Sequence, residues 1–170
     1  SGRFVDHDSS RYEAAIETVA AAGIMKPCNP PRNNRFCPGA EVDRGDMAVV
    51  IARAFHLTAT SGVRFRDVEG TGARATAIDK VVTAGIATPC ETHRFCPDAQ
   101  VTRGRMAQYL SRALGLTATG PMPFRDVHAS TTFASAINRL ATAGLAIGCG
   151  DHRFAAGALQ PPGQIDRVRR

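Results

Sequence analysis

One stretch of this chain recurs, altered, on either side of itself, and that recurrence limits the possible folds more than any other feature. Residues Ile86–Leu110, IATPCETHRFCPDAQVTRGRMAQYL, are echoed upstream by IMKPCNPPRNNRFCPGAEVDRGDMAVVI and downstream by LAIGCGDHRFAAGALQPPGQID. A self-similar period means that one supersecondary unit has been copied and that the copies must pack on each other. Phe4, Phe65 and Phe124 open the units at spacings of 61 and 59 residues. The same register carries Ile16, Ile78 and Ile137; Gly23, Gly85 and Gly144; Cys28, Cys90 and Cys149; and Phe36, Phe95 and Phe154. The unit boundaries fall at residues 1–61, 62–120 and 121–170. Each unit is too small to bury much core alone, so the units should lean on one another.

The sequence predicts two helices per unit. In the first unit Asp8, Ser9 and Ser10 are candidate caps for a helix beginning near Arg11, with Tyr12, Ile16 and Val19 on one face. It should stop at Gly23, with Ile24 folding back behind a left-handed glycine, and Gly85-Ile86 and Gly144-Leu145 repeat the signal. A loop from about Met25 to Glu41 follows, where Pro27, Pro30, Pro31 and Pro38 forbid a helix and Phe36 should plug the loop into the core. The second helix opens at Asp43, a predicted N-cap, with Met47, Val50, Ile51, Ala54 and Phe55 as its stripe; Thr102, Met106, Tyr109, Leu110, Ala113 and Leu114 repeat it. LTATSG and LTATG are the connectors. The third unit keeps a first helix, from about Thr132 to Ala143, but Pro161-Pro162 stands where its second should open. The fold class expected is all-α, three tandem helix–loop–helix repeats with long loops.

The five cysteines fall as Cys28…Cys37, Cys90…Cys96 and a lone Cys149, whose own unit offers Ala155 in place of a partner. Paired appearance and paired loss point to a disulfide within each of the first two units, and so to an oxidising compartment outside the cytoplasm. Cys90-x-x-His93-x-x-Cys96 could also be read as metal ligands, but the first unit has Asn34 near the histidine position, so no ligand set is common to both. No metal and no cofactor are expected.

A net charge of +6 favours an anionic partner. Nucleic acid is disfavoured, because only 6% of residues are aromatic, tryptophan is missing, and the arginines are not interleaved with stacking platforms. Arg167-Val168-Arg169-Arg170 reads as a solvated tail. No apolar run approaches the ~20 residues that span a bilayer, so no membrane insertion is expected. Ser1-Gly2 reads as an excised start, so the lack of a secretory signal says nothing about the compartment.

Several motifs together resemble the S-layer homology family, which commonly occurs as three tandem modules. They are Phe65-Arg66-Asp67-Val68 and Phe124-Arg125-Asp126-Val127, Ala77-Ile78 with Ala84-Gly85-Ile86, Arg94-Phe95-Cys96-Pro97, and Val101-Thr102-Arg103-Gly104-Arg105-Met106-Ala107. Val42-Asp43-Arg44-Gly45-Asp46-Met47-Ala48 is the first unit's version of the last. The resemblance spans the chain, the third module being degenerate. The family's Thr-Arg-Ala-Glu-type motif is matched in Thr102 and Arg103, with Gly104-Arg105 and Gly45-Asp46 in place of Ala-Glu. Where the family commonly has an aromatic in the first helix, this chain has Tyr12, Arg74 and Phe133.

The resemblance implies a pseudo-threefold, three-pronged helical assembly that anchors secreted or S-layer proteins to anionic, often pyruvylated, cell-wall polysaccharide. It implies a location in the cell wall or at the cell surface. The ligand-binding positions it implies are Arg44 and Arg103, with Gly45, Gly104, Asp67 and Asp126. Physically, an arginine in a first helical turn offers a planar fork beside exposed backbone N–H groups, and both favour a carboxylate. The competing reading has each arginine pair with Asp67 or Asp126 of the next unit and staple the units together. A ligand role lets Arg44→Ala and Arg103→Ala keep their melting temperatures; a staple role does not.

Enzymatic readings fail on inventory. The chain has no Gly-x-Ser-x-Gly, no His-Glu-x-x-His and no phosphate-cradling loop, and its five histidines sit singly. Besides glycan anchoring, two alternatives stand: a protein-interaction module for an S-layer or envelope partner, and a specificity module of an exported hydrolase.

Overall fold

The computed structural model describes residues 2–6, 12–149 and 151–159. The expected caps Asp8, Ser9 and Ser10, the Pro161-Pro162 break and the Arg167–Arg170 cluster lie outside the described residues. Among those described the fold is all-α: α1 (Glu13–Ala21), α2 (Arg44–Ala54), α3 (Ala73–Thr83), α4 (Arg103–Ala113) and α5 (Ala134–Thr142). Among the described residues extended pairing is confined to isolated bridges such as Asp43 with Gln100 and Thr102 with Leu159.

The helices stop where the glycines say. Gly23, Gly85 and Gly144 have φ of +68°, +69° and +71°. Behind them Ile24 N donates to Val19 O (3.0 Å), Ile86 N to Val81 O (2.9 Å) and Leu145 N to Leu140 O (2.8 Å), the paired bonds of a Schellman stop. The N-caps of the second helices also match: Asp46 N donates to Asp43 Oδ1 at 2.7 Å, and Arg105 N to Thr102 Oγ1 at 3.3 Å. The first helices open later than the sequence indicated, α1 at Glu13 and α5 at Ala134, because Tyr12 and Phe133 occupy the cap positions in non-helical conformations.

Packing is offset from the sequence units. α2 of the first unit lies against α3 of the second, and α4 of the second against α5 of the third. The largest core therefore joins Met47, Ala48 and Ile51 of α2 to Ile78 and Val81 of α3, with Phe95 and Val101 from the following loop. A second core gathers Ala107, Phe124, Ile137, Leu140 and Phe154, and a small third one holds Phe4, Ile16, Ala20 and Phe36. In each unit the opening phenylalanine meets the loop phenylalanine at a tilt, with centroids 5.5 Å apart for Phe4–Phe36, 5.7 Å for Phe65–Phe95 and 5.2 Å for Phe124–Phe154. Edge-inclined rings at this distance are favourable beyond their buried area, so the loops are anchored as expected.

A recurring clamp fixes the connectors. Glu17, Asp79 and Asn138, at one register position of the first helices, accept from Arg3 N (2.7 Å), Gly62 N (2.9 Å) and Gly120 N (3.0 Å). Both expected disulfides, Cys28–Cys37 and Cys90–Cys96, are present with Cα–Cα distances of 6.0 Å, and Cys149 is free and exposed. The third loop nevertheless keeps the geometry of the bridged ones. Cys149 N donates to Arg153 O (2.8 Å) as Cys90 N does to Arg94 O (3.0 Å), and Ala155 has φ 54° where Cys96 has 55°.

The wild-type chain should therefore give one reactive thiol, and Ala155→Cys should remove it by forming a third bridge without rearranging the loop. A gain of about 2 kcal/mol is expected from a loop this short. Thiol titration under denaturing conditions, alongside melting curves, checks both.

Candidate functional site

The site is built from the loops upward. The carboxylate of each unit's Phe-x-Asp receives two consecutive amides of its own loop: Asp6 from Phe36 and Cys37 (both 2.8 Å), Asp67 from Phe95 (2.9 Å) and Cys96 (2.8 Å), Asp126 from Phe154 (2.7 Å) and Ala155 (2.8 Å). For Asp67, burial is the largest single influence and opposes ionisation. The two loop amides, its own N–H and the nearby Arg94 together outweigh it and hold the carboxyl below the ordinary 3.8. Asp6 and Asp126 are depressed by the same set of influences.

With the loop fixed in this way, its carbonyls face the preceding unit. Arg44, only 2% exposed, donates from Nε to Phe95 O (2.9 Å), from one terminal nitrogen to Tyr109 Oη (2.7 Å) and from the other to Thr88 O (2.7 Å). Its guanidinium carbon lies 4.5 Å from the Phe95 ring centroid. Arg103 repeats the arrangement one unit on, donating to Phe154 O (2.9 Å) and Ile147 O (3.1 Å) with the Phe154 ring 4.7 Å away. Desolvation lowers the Arg44 pKa, as does the like charge of Arg105, while Tyr109 and Asp67 work against the shift.

This corrects two parts of the sequence reading. The fork of each arginine is engaged by carbonyls of the next unit, and Arg44 and Arg103 do not staple the units by pairing with Asp67 or Asp126, whose oxygens hold loop amides. Nor are the neighbouring amides exposed: Arg44 N donates to Ala99 O (2.9 Å), Gly45 N to Pro97 O (2.8 Å), Arg103 N to Ala158 O (2.8 Å) and Gly104 N to Ala156 O (2.9 Å). A fork-to-carbonyl contact between units leaves no trace in residue spacing, which is why the sequence could offer only a carboxylate partner.

Gly45 and Gly104 are placed by close approach. A Cβ on Gly45 would overlap the Arg74 guanidinium, and one on Gly104 would overlap the Phe133 ring and lie 3.0 Å from Ala156 O. The two helix openings differ sharply in charge. Around α2, Arg74 is flanked by Asp43 (2.9 Å), Asp98 (3.1 Å) and Asp46 (3.9 Å), three carboxylates to one cation. Burial, Asp43 and Asp98 raise the Asp46 pKa against the pull of Arg74. Around α4 the corresponding residues are Thr102, Arg105 and Phe133, and the Arg105 guanidinium stands 5.5 Å from the Phe133 centroid. Sequence reasoning named Arg74 and Phe133 only as substituents of an aromatic position and assigned Arg105 no role.

Asp67 lies near the sulfurs of Cys90 and Cys96, and Asp6 near those of Cys28 and Cys37. In both clusters the sulfurs are bonded to each other and the carboxylates hold amides, so no thiolate is offered to an ion. His93 (φ 61°) and His152 (φ 54°) serve through their backbones, their carbonyls accepting from Arg66 N (2.9 Å) and Arg125 N (2.8 Å). No described helix is long and apolar enough to cross a membrane.

An S-layer protein of Bacillus thuringiensis subsp. finitimus is 24% identical to this chain over 147 residues, covering 81% of the chain. The chain spans 18% of that protein's length. No family model matches. The distant likeness supports a cell-surface or S-layer-related role.

Two outcomes follow from this geometry. Arg44→Ala and Arg103→Ala should each cost on the order of 3 kcal/mol, because three or so buried carbonyl or hydroxyl acceptors lose a charged donor. Lysine, lacking the planar fork, should not restore it; denaturant melts measure both. The depressed aspartates contribute stability that is fully present above the unfolded pKa and is lost as pH falls through the folded one. Stability should therefore drop below about pH 4, and Asp67→Asn should flatten that drop while lowering stability at neutral pH by about 1–3 kcal/mol.

Proposed function

We propose that this chain is a noncatalytic anchoring module of a secreted protein, binding an anionic cell-wall polysaccharide on the face around the start of α4. The observation that carries this reading is the Arg105–Phe133 pair. Phe133 offers an apolar platform for a sugar ring, and Arg105, half-exposed above it, offers a planar fork for a ring carboxylate. A pyruvate ketal would present such a carboxylate. Gly104 lets the helix approach Phe133, and Arg103 and Asp126 fix the loop at Phe154 beside the helix opening; Arg44 and Asp67 do the same at Phe95 for the preceding groove, where Gly45 lets the helix approach Arg74.

The opening of α2 suits this ligand less well. Its three carboxylates around Arg74 would repel an acidic glycan, so the two grooves are unequal and the second is the binding one. The likeness to an S-layer protein favours a second reading, in which the same face receives a protein of the surface layer or envelope.

Sedimentation with purified sacculi, before and after hydrofluoric acid strips the attached polymers, separates the two. Glycan recognition predicts binding lost on stripping, weakened about tenfold or more by Arg105→Ala or Phe133→Ala, and unchanged by Asp46→Ala. Arg105→Ala should leave the melting temperature near wild type. Undiminished binding by Arg105→Ala would place the site elsewhere.

A further inference from the structure

The loops bridged by Cys28–Cys37 and Cys90–Cys96 each place a carboxylate beside both sulfurs. In the second unit the carboxylate of Asp67 and the sulfurs of Cys90 and Cys96 lie within 4.8 Å of one another, and in the first Asp6, Cys28 and Cys37 do the same. A set of one aspartate and two cysteines is therefore common to both units. Residue spacing hides it, because each aspartate stands 22 or 23 residues before the first cysteine of its loop.

These distances fit one small thiophilic ion. Zn–S bonds of about 2.3 Å and a Zn–O bond of about 2.1 Å put tetrahedral ligand atoms roughly 3.5–3.8 Å apart. Sulfurs bonded to each other are too close for this and carry no proton to give up, so the oxidised loop offers no site. Reduction removes that obstacle. With the Cα atoms 6.0 Å apart, rotation of the two side chains is enough to separate the sulfurs.

The third loop shows the geometry of an unbridged copy. Cys149 Sγ lies 3.3 Å from Arg153 O, as the bridged Cys90 Sγ lies 3.3 Å from Arg94 O. Ala155 keeps the left-handed turn, and Asp126 keeps both loop amides. The first sulfur and the carboxylate are thus held in place by the aspartate and the turn, with or without a bridge. A reduced loop retains a prearranged ligand set.

We propose that the first two loops are redox-gated metal sites, closed as disulfides and, once reduced, binding Zn²⁺ or a similar thiophilic divalent ion through Asp6, Cys28 and Cys37 and through Asp67, Cys90 and Cys96. An external dithiol gives two electrons and two protons to each disulfide and closes to its own disulfide; the ion then displaces both thiol protons to solvent. Two thiolates and a carboxylate around a divalent ion leave one net negative charge. In the second unit the Arg94 guanidinium, 3.6 Å from Asp67 Oδ2, faces that charge. Cys28 and Cys90 are exposed, so the fourth position is open to water.

The test is a Co²⁺ titration of the full chain, reduced with dithiothreitol and freed of it anaerobically, beside the oxidised chain. The reduced chain should develop a thiolate-to-cobalt charge-transfer band that saturates at about two ions per chain and is bleached by Zn²⁺, and the oxidised chain should show none. Cys28→Ser combined with Cys90→Ser should abolish the band, and Asp67→Asn should weaken the second site about tenfold or more. Ala155→Cys should add a third equivalent. A reduced wild-type chain without the band, a band that survives the double serine variant, or an Ala155→Cys chain with no added equivalent would overturn the proposal. So would loss of helical circular dichroism on reduction, since the ligands would then not be held in place.

Discussion

A guanidinium buried on a phenylalanine ring, its donors taken by carbonyls of the next unit's loop, is the contact on which the rest of this structure depends. Arg44 and Arg103 make it across sequence distances of 51 residues, and they join units that could not bury enough surface alone. A charge so enclosed must be matched by several acceptors at once. The fork geometry of arginine meets that demand, with the ring face below supplying a further favourable contact.

The carbonyls are in place because the aspartates put them there. Asp67 takes the amides of Phe95 and Cys96, which turns Phe95 O toward Arg44; Asp126 does the same for Phe154 O and Arg103. Disulfides reinforce this loop without defining it. The third loop has the same left-handed turn at Ala155 and the same Asp126 bonds with no bridge at all. Conformation is set by hydrogen bonding, and the sulfurs limit how far the unfolded loop can stray.

Local features were legible in the sequence because their physics is local. Gly23, Gly85 and Gly144 announced the helix stops, Asp43 and Thr102 the caps, and the cysteine pairing followed from which positions vary together. What crosses between units was not. Spacing put an arginine in the first turn of α2 but could not show that its fork meets carbonyls 44 and 51 residues further on. Asp67 read as a ligand or ion-pair residue for the same reason: its amide partners lie 28 and 29 residues away. Arg74 and Phe133 share a register position, and only the packed structure shows that one gathers three carboxylates and the other carries Arg105.

That divergence sets the two helix openings apart on a shared scaffold. Gly45 and Gly104 bring both helix openings close to the following unit, and side chains at the rim then make one groove acidic and the other basic and aromatic. Such specialisation is possible only if the sockets beneath stay intact whatever the rim carries. Native-state hydrogen exchange on Arg44→Met tests that dependence most directly. The account predicts that the amides of Phe95, Cys96 and Gly45 lose protection together while those of Phe154, Ala155 and Gly104 keep theirs; uniform protection in the variant, or uniform loss across both sockets, would contradict it.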